Sequence, residues 1–370
     1  MDNRASVQAA LDYLASRLDQ YIAAVLAPEL GGLPWTTVLS ELDRAKGHLP
    51  KNYSTGDLQA QLRILTERLG GLGYPFSDPT RTLSVLGGEL RIVRNRWAHN
   101  DEFTALDAWR THDFVVRLLS HIGDQEGRAE AERMRSASLG RVVEESHLFV
   151  PDRVPTPAHV SEAQEVTPEA AVLERADTAA TPVIGDSRFQ FEPWTVVHVG
   201  DSAVLDELPN KRAKEEVRAV ATDIVEYEGP IQLDRLARLI AQSFGVTRLH
   251  HARSKRIVQQ IKGLGYDIDN DKFVWPPTID RSTWTEFRPN PSSTDRPFEE
   301  VSPVEIANAA RLLLREGPLD LENLEDRMLR TFGRSRRTKA IKAHLKKALD
   351  YARSAGIVAK DDGSRVASGH

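Results

Sequence analysis

The chain has 370 residues, of which 40% are hydrophobic and 28% charged, and its formal net charge is −5. This length allows about two or three domains, and the composition is typical of globular domains that bury their own cores. The chain contains no cysteine, which excludes disulfides, thiolate zinc sites and cysteine nucleophiles. Because the overall charge is acidic, any surface that binds nucleic acid must be local.

Membrane insertion is not expected. No run approaches the roughly 18 apolar residues that a membrane-spanning helix needs. The first residues, MDNRASVQAALDYL, are charged and amphipathic, unlike a signal peptide. We therefore expect a cytoplasmic protein with no membrane partner.

Residues 1–146 predict a helical bundle. Apolar residues recur at spacings of three and four in four stretches, and each stretch indicates one buried helical face. The four sets are Val7, Leu11, Leu14, Leu18, Tyr21 and Val25, ending before Pro28; Leu58, Leu62, Leu65 and Leu69; Leu83, Leu86, Leu90, Val93 and Trp97; and Leu106, Trp109, Val116 and Leu119. Thr104 and Asp107 have the spacing of a capping box, which would begin the last helix. The simplest architecture is an antiparallel bundle.

Residues 147–187 change in character. The segment FVPDRVPTPAHVSEAQEVTPEAAVLERADTAATPV is rich in Pro, Thr, Ala and Glu and poor in large apolar residues. Such a composition buries too little apolar surface to offset the entropy of ordering, so it predicts a flexible linker.

The remainder contains an internal repeat. The segment EYEGPIQLDRLARLIAQSFG (226–245) aligns with LREGPLDLENLEDRMLRTFG (314–333) at a constant offset of 88 residues. Beyond this, RSKRI (253–257) matches RTKAI (337–341), so one loop is four residues shorter in the second copy. A hairpin pattern follows each copy, at 266–275 and at 356–366, the second with an Asp-Gly turn.

Three helices and a two-stranded wing form the winged-helix plan, a variant of the helix-turn-helix. We predict two such units, at 188–278 and 299–370, joined by a connector at 279–298. A pair of similar helical hairpins without wings is the alternative. The predicted fold is thus mainly α: a helical bundle, a flexible linker and two winged-helix-like repeats.

The stretch VRNRWAHND (93–101) is the strongest candidate for chemistry. Asn95 lies one turn before His99, while Arg94 is about 140° from His99 around a regular helix. The two could still reach one groove at a helix end, or a groove completed by a second copy. Histidine can exchange a proton with a 2′-hydroxyl or a leaving 5′-oxygen, and arginine can bind the phosphate. Alternatively, both residues are simply favourable near a helix C-terminus.

ELRIVRNRWAHND, with the leucine stripe before it and FTALDAWRTHDFVVRLLSHIG after it, resembles the signature and closing helices of a HEPN domain of the Swt1 type. Arg94, Asn95, Ala98 and His99 fill the pattern of that branch, over roughly residues 5–125. The resemblance implies a four-to-five-helix bundle that dimerises through its signature helices. It also implies a metal-independent ribonuclease that leaves a 2′,3′-cyclic phosphate, with Arg94 and His99 essential. Many members of the superfamily are instead inactive binding or assembly modules.

The repeat region carries a resemblance of its own. PWTVVHVGDSAVLDELP and IVEYEGPIQLDRLARLIAQSFG are similar to an uncharacterised domain at the C-terminus of large bacterial superfamily 1 helicases, over about 190–360. This implies a nucleic-acid-handling role, often in defence against phage or plasmids. No GxxxxGK[ST] phosphate loop occurs in the chain.

Basic residues cluster in each repeat where a winged-helix protein contacts nucleic acid. From Arg330 to Lys347, eighteen residues include eight Lys or Arg and no acid. The candidate contacts are Arg334, Arg336, Arg337, Lys339, Lys342 and Lys346 in the second copy, and Arg253, Lys255 and Arg256 in the first. The alternatives are a solvated face or a surface that pairs with an acidic protein.

We therefore expect a homodimeric endoribonuclease that cleaves RNA without a cofactor or metal. Its tail would bind DNA, RNA or a helicase-like protein, and the expected setting is bacterial defence against phage or plasmids. His250 and His251 are adjacent, point apart and lack a third ligand, so they do not suggest a metal site. One alternative is an inactive dimerisation module in a DNA-binding regulator or assembly factor. Another is the toxin of a toxin–antitoxin pair, silenced by a nucleotidyltransferase.

Overall fold

The structure is a computed structural model that describes residues 2–76, 80–147, 190–290, 295–360 and 365–368. The segment predicted as a flexible linker lies outside the described residues, apart from residue 147. Within the described ranges the chain is mainly helical, as the sequence predicts, with two small antiparallel sheets.

Six helices form the N-terminal bundle. They are α1 (Asn3–Leu30), α2 (Thr36–Ala45), α3 (Leu58–Thr66), α4 (Thr82–Ala98), α5 (Ala105–His121) and α6 (Gln125–His147), with a short 3-10 turn at Gly70–Leu72. The first three predicted stripes lie in or against one core. The predicted capping box is present, because Thr104 and Asp107 each bond to the other's backbone N–H at the start of α5.

Three details of the bundle differ from the sequence prediction. Helices α2 and α6 have no counterpart among the four predicted stripes. Helix α1 does not end before Pro28 but continues to Leu30. Of the stripe predicted on α5, Val116 and Leu119 are buried, whereas the Leu106 side chain is 40% exposed. Ala108 and Val115, outside the predicted stripe, are buried as well, so the buried face of α5 is only partly the predicted one.

The first C-terminal unit begins with α7 (Ala203–Asp206) and continues through one helix, a strand, two helices and a hairpin. These elements are α8 (Lys211–Glu228), β1 (Ile231–Gln232), α9 (Leu233–Ser243), α10 (His251–Lys262), β2 (Asp267–Ile268) and β3 (Phe273–Trp275). The strands are antiparallel in the order β1-β3-β2, with Ile231 opposite Val274.

The second unit repeats this order. It consists of α11 (Pro303–Leu313), β4 (Leu319–Asp320), α12 (Leu321–Thr331), α13 (Lys339–Ser354), β5 (Val358–Lys360) and β6 (Arg365–Ser368), with 3-10 turns at Phe298–Glu300 and Leu314–Glu316. Its strand order is β4-β6-β5. The residue that ends the first strand caps the next helix in both units: Gln232 accepts from the Arg235 N–H, and Asp320 from the Asn323 N–H. Both predicted hairpins are present, although the Asp-Gly turn lies outside the described residues.

The segment between the units is packed against the second one. Glu305 of α11 is fully buried and bonds to the guanidinium groups of Arg288 and Arg296 at 2.9 Å each. The two cations hold the pKa of the Glu305 carboxyl well below its ordinary value, despite the opposing effect of burial. Breaking such a buried network leaves an uncompensated charge, so it fixes the segment's position.

Candidate active site and nucleic-acid interface

The VRNRWAHND stretch forms the C-terminal end of α4. Arg94 and Asn95 lie in its last turns, and His99 is the C-cap, whose N–H donates to the Asn95 carbonyl at 3.1 Å. Asn100 follows in the left-handed conformation, with φ of 59°, which asparagine tolerates better than most residues. His99 is exposed, Arg94 is half-buried and Asn95 is buried.

Arg94 and His99 remain on different sides of the helix. The helix is continuous to Ala98, so the separation of about 140° expected from their spacing is preserved. Within the described residues no hydrogen bond joins the two side chains. One copy of α4 therefore supplies the two groups without bringing them onto one face.

Arg4 of α1 holds the end of α4 in place. Its guanidinium donates to the Trp97 carbonyl at 2.7 Å, to Oδ1 of Asn100 at 2.8 Å and to the Asp101 carbonyl at 3.4 Å. It also lies 5.4 Å from the centre of the Trp97 ring. A cation is favourable at a helix C-terminus, where carbonyl groups lack partners. Arg4 therefore fixes the backbone on both sides of His99.

Arg96, in the last turn of α4, stabilises the turn that follows the helix. It is buried, lies 4.7 Å from the centre of the Phe103 ring and donates to the Glu102 carbonyl at 2.9 Å. Its Nη2 also lies 3.6 Å from the carboxylate of Asp107. Sequence reasoning missed both arginines: Arg96 stands within the motif, but nothing in the sequence linked Arg4 to it.

The outer face of α4 is covered by the C-terminal part of the chain. Gly88, Arg91, Ile92 and Asn95 recur at helical spacing on the side opposite the bundle core. Arg91 forms a buried ion pair with Asp223 of α8 at 2.9 Å. Ile92 belongs to the apolar core of the first C-terminal unit, and Asn95 is only 4% exposed.

Polar contacts surround this junction. Gln59 donates to Glu226 at 2.8 Å, and Lys211 pairs with Glu102. Arg212 lies 3.7 Å from Asp107. Further contacts extend it to the segments that follow α2 and α3: the Leu49 N–H donates to the Thr278 carbonyl at 2.7 Å, Trp284 Nε1 donates to the Lys46 carbonyl at 2.9 Å, and Tyr74 bonds to Glu192.

Acidic groups gather beside His99 at this junction. Burial, together with the nearby carboxylate of Glu215, raises the pKa of Asp101 to about 6. The cations of Arg96 and Arg4 oppose this increase but do not cancel it. Packing of α8 against the end of α4 therefore brings the carboxylates of Asp101 and Glu215 close to each other.

The predicted basic residues of the second unit lie at the start of α13 and on its outer face. Those with exposed side chains are Arg336, Lys339, Lys342 and Lys346. Arg334 is half-buried. Arg337 bonds to Glu325 at 2.9 Å and to Asp326 at 2.6 Å on α12, so its guanidinium is already engaged.

The basic cluster of the first unit is more strongly neutralised. Arg253 forms a bidentate pair with Asp206 of α7, at 2.9 and 2.5 Å, and Arg256 donates to the carbonyl of the same residue at 3.3 Å. Lys255 is exposed. The second unit therefore presents more free cationic surface than the first.

Metal ligands do not cluster in the part of the chain that the structure describes, since no group of three or more His, Asp or Glu side chains could hold an ion there. His250 and His251 are both exposed. No helix within the described ranges is long and apolar enough to cross a membrane.

Comparison with known families assigns the bundle. Residues 9–123 match the Swt1-like HEPN family, so the N-terminal bundle is a Swt1-like HEPN domain, of a nuclease-type family. Residues 206–251 match the family described as a protein of unknown function, DUF3320. No curated protein and no solved structure matches the chain.

Proposed function

We propose that the chain is an endoribonuclease whose reaction takes place at the end of α4. The observation that carries the proposal is the Arg94-Asn95-x-x-Ala98-His99 arrangement, placed at the C-terminus of a helix within a Swt1-like HEPN domain. His99 is exposed and set on a turn that Arg4 and Arg96 stabilise, as a proton-transfer group requires.

In this mechanism His99 removes the proton of a substrate 2′-hydroxyl, and the 2′-oxygen attacks the adjacent phosphorus. The bond from phosphorus to the 5′-oxygen breaks, and the leaving oxygen takes the proton that His99 then carries. Arg94 donates to the phosphate oxygens, on which negative charge increases in the transition state. Asn95 orients the phosphate or the imidazole. The products are a 2′,3′-cyclic phosphate and a 5′-hydroxyl, and these groups complete the reaction without a metal.

A second copy of the chain completes the proposed site. Because Arg94 and His99 leave α4 in different directions, two α4 helices packed together would place Arg94 of each copy near His99 of its partner. We therefore propose a homodimer formed through the HEPN domain.

The C-terminal units are proposed as tandem winged-helix modules that bring the nuclease to nucleic acid or to a helicase-like protein, in the cytoplasm and in a defence setting. The order of helices and strands in each unit supports this. The exposed cations of α13 supply a surface suited to phosphates.

An inactive assembly module is the second candidate. The observation in its favour is the burial of Asn95 beneath α8, since a residue that binds substrate should be accessible.

Cleavage of a short RNA by the full chain, assayed over a range of ionic strength, separates the two. We expect His99→Ala and Arg94→Ala each to lose at least about 10²-fold in rate, the lower range for proton-transfer groups. Cleavage should persist in EDTA and stop when the nucleotide at the cut carries a 2′-deoxy sugar. Arg110→Ala and His250→Ala, which remove exposed residues of the same types elsewhere, serve as matched controls. Equal rates for His99→Ala and wild type would favour the assembly module.

A further inference from the structure

Helix α8 lies antiparallel along the outer face of α4. Near its C-terminal end Asp223 pairs with Arg91, and near its N-terminal end Lys211 pairs with Glu102, beyond the end of α4. The contact therefore spans the whole stretch that carries Arg94, Asn95 and His99.

We infer that α8 is an intramolecular inhibitor of the α4 site: while docked, it closes the face that carries Asn95 to an RNA phosphate and to a second copy of the chain. The inference rests on the proposed function, since it concerns the regulation of the same site. Its test distinguishes failure of the regulation from failure of the nuclease assignment.

Charge supports this inference. Glu215, Asp223 and Glu226 share one face of α8 with the buried Ala219 between them, at spacings of four, four and three residues. Asp223 neutralises Arg91, Glu226 accepts from Gln59, and Glu215 accepts from the Glu102 N–H at 3.3 Å. Asp223 is buried and paired, so the carboxylates that an anionic substrate would meet before it reached Arg94 are those of Glu215 and Glu226. Like charges in a partly buried site repel strongly, so substrate and α8 exclude each other.

The fit between α4 and the first C-terminal unit is close at Val197, which precedes α7 and lies in the same core as α8. A Cβ atom added to Gly88 would lie 2.7 Å from Cγ2 of Val197 and 4.0 Å from its Cβ. An alanine at position 88 would therefore force Val197 to move from its place in the docked arrangement. Neither residue belongs to the proposed chemistry, because Gly88 stands two helical turns before Asn95.

The junction combines apolar and polar contacts. Buried contacts of Ile92 and Val197 hold the junction together with ion pairs and hydrogen bonds, and the Lys211–Glu102 pair at its edge is exposed on both sides. Polar interfaces within a chain behave like transient ones, and salt weakens exposed pairs. Opening would return Asn95 and Arg91 to water as polar or charged groups and would also expose Ile92, so the apolar contact opposes release.

The first experiment introduces a steric clash at position 88, here called the wedge, and then removes it with a second substitution. In the full chain, Gly88→Ala should displace α8 and increase RNA cleavage about tenfold or more, because overpacking of this kind shifts equilibria by about one to two powers of ten. The double variant Gly88→Ala with Val197→Ala removes the colliding methyl group and should return towards the wild-type rate. Val197→Ala alone is the matched control. Small-angle scattering should report a larger radius for Gly88→Ala than for the double variant.

The second experiment locks the junction. The chain contains no cysteine, so Glu102→Cys with Lys211→Cys gives two unique thiols at exposed positions. Joining them with a bismaleimide that has a disulfide spacer should reduce cleavage to the level of His99→Ala and keep the chain monomeric. Reduction of the spacer should restore cleavage, and each single cysteine variant controls for modification alone.

The outcomes are distinct. If wild type cuts RNA in a manner that depends on His99, and neither the wedge nor the lock changes the rate, the inhibition by α8 is wrong while the nuclease assignment stands. If Gly88→Ala opens the chain and still cuts no RNA, both are wrong. Faster RNA cleavage by Gly88→Ala, together with loss of cleavage in the cross-linked chain, supports the inference.

Discussion

Arg4 should be a positioning residue for His99, although it contacts neither the proposed substrate nor the imidazole. Its guanidinium bonds to the Trp97 carbonyl and to Asn100 Oδ1, on either side of His99. Residues 9–123 match the HEPN family, so Arg4 lies outside the matched segment. Arg4→Met would keep much of the side chain's volume and remove the donors.

The expected cost follows from these contacts. Each of the two short bonds contributes about 1 kcal/mol at this half-buried position. The contact with the Trp97 ring adds about 0.5 kcal/mol, and the cation at the helix C-terminus a similar amount. Arg4→Met should therefore lower the free energy of unfolding of the bundle by about 2–3 kcal/mol. A displacement of His99 by about 1 Å would reduce kcat by up to about 10²-fold.

The assay measures kcat and KM separately in the Gly88→Ala background, where α8 is expected to be displaced. We expect kcat to fall at least about tenfold with little change in KM, and Arg4→Lys to recover part of it with one donor. Arg17→Met is the matched control, because Arg17 lies on the same helix and forms a bidentate pair with Asp124 at 2.6 and 2.7 Å. If Arg4→Met loses stability as Arg17→Met does but keeps its kcat, Arg4 is structural only and the reasoning is refuted.

Two further predictions concern the acidic junction and the basic surface. Asp101 keeps its proton up to about pH 6 in the folded chain against an ordinary pKa of 3.8, so stability should fall as pH rises through this window. Asp101→Asn should therefore raise the melting temperature at pH 7.5 and have progressively less effect as the pH is lowered to about 4; an unchanged difference across this range would contradict the assignment. For the tail, the affinity of the full chain for duplex DNA should decrease with salt, with a log–log slope of about −0.9 per neutralised phosphate. That slope should become less steep when four exposed cations are changed to Ala, whereas Arg337→Ala should mainly lower the stability of the fold. An affinity that does not depend on salt concentration would favour a protein partner. The four are Arg336, Lys339, Lys342 and Lys346.

The sequence alone predicted many of the elements, though not α2, α6 or the first strand of each C-terminal unit. Stripes at helical spacing predicted the bundle helices, Thr104 and Asp107 predicted the start of α5, and the repeat predicted two units with the same order of elements. These features depend on residues close together in the chain, where period and capping act directly. The motif from Arg94 to His99 was also visible, because its residues lie on one helix.

Only the tertiary structure decided what surrounds that motif. Arg4 and Asp223 reach α4 from segments about 90 and 130 residues away in sequence, and neither carries a local pattern that marks its partner. The same holds for Arg253 and Arg337, which the sequence presented as free cations and which the fold pairs with Asp206 and Asp326. A charged side chain has the same appearance in a sequence whether it meets solvent, substrate or a carboxylate. The tertiary structure determines which of these a charged side chain contacts, because the packing of α8 against α4 sets which charges face each other.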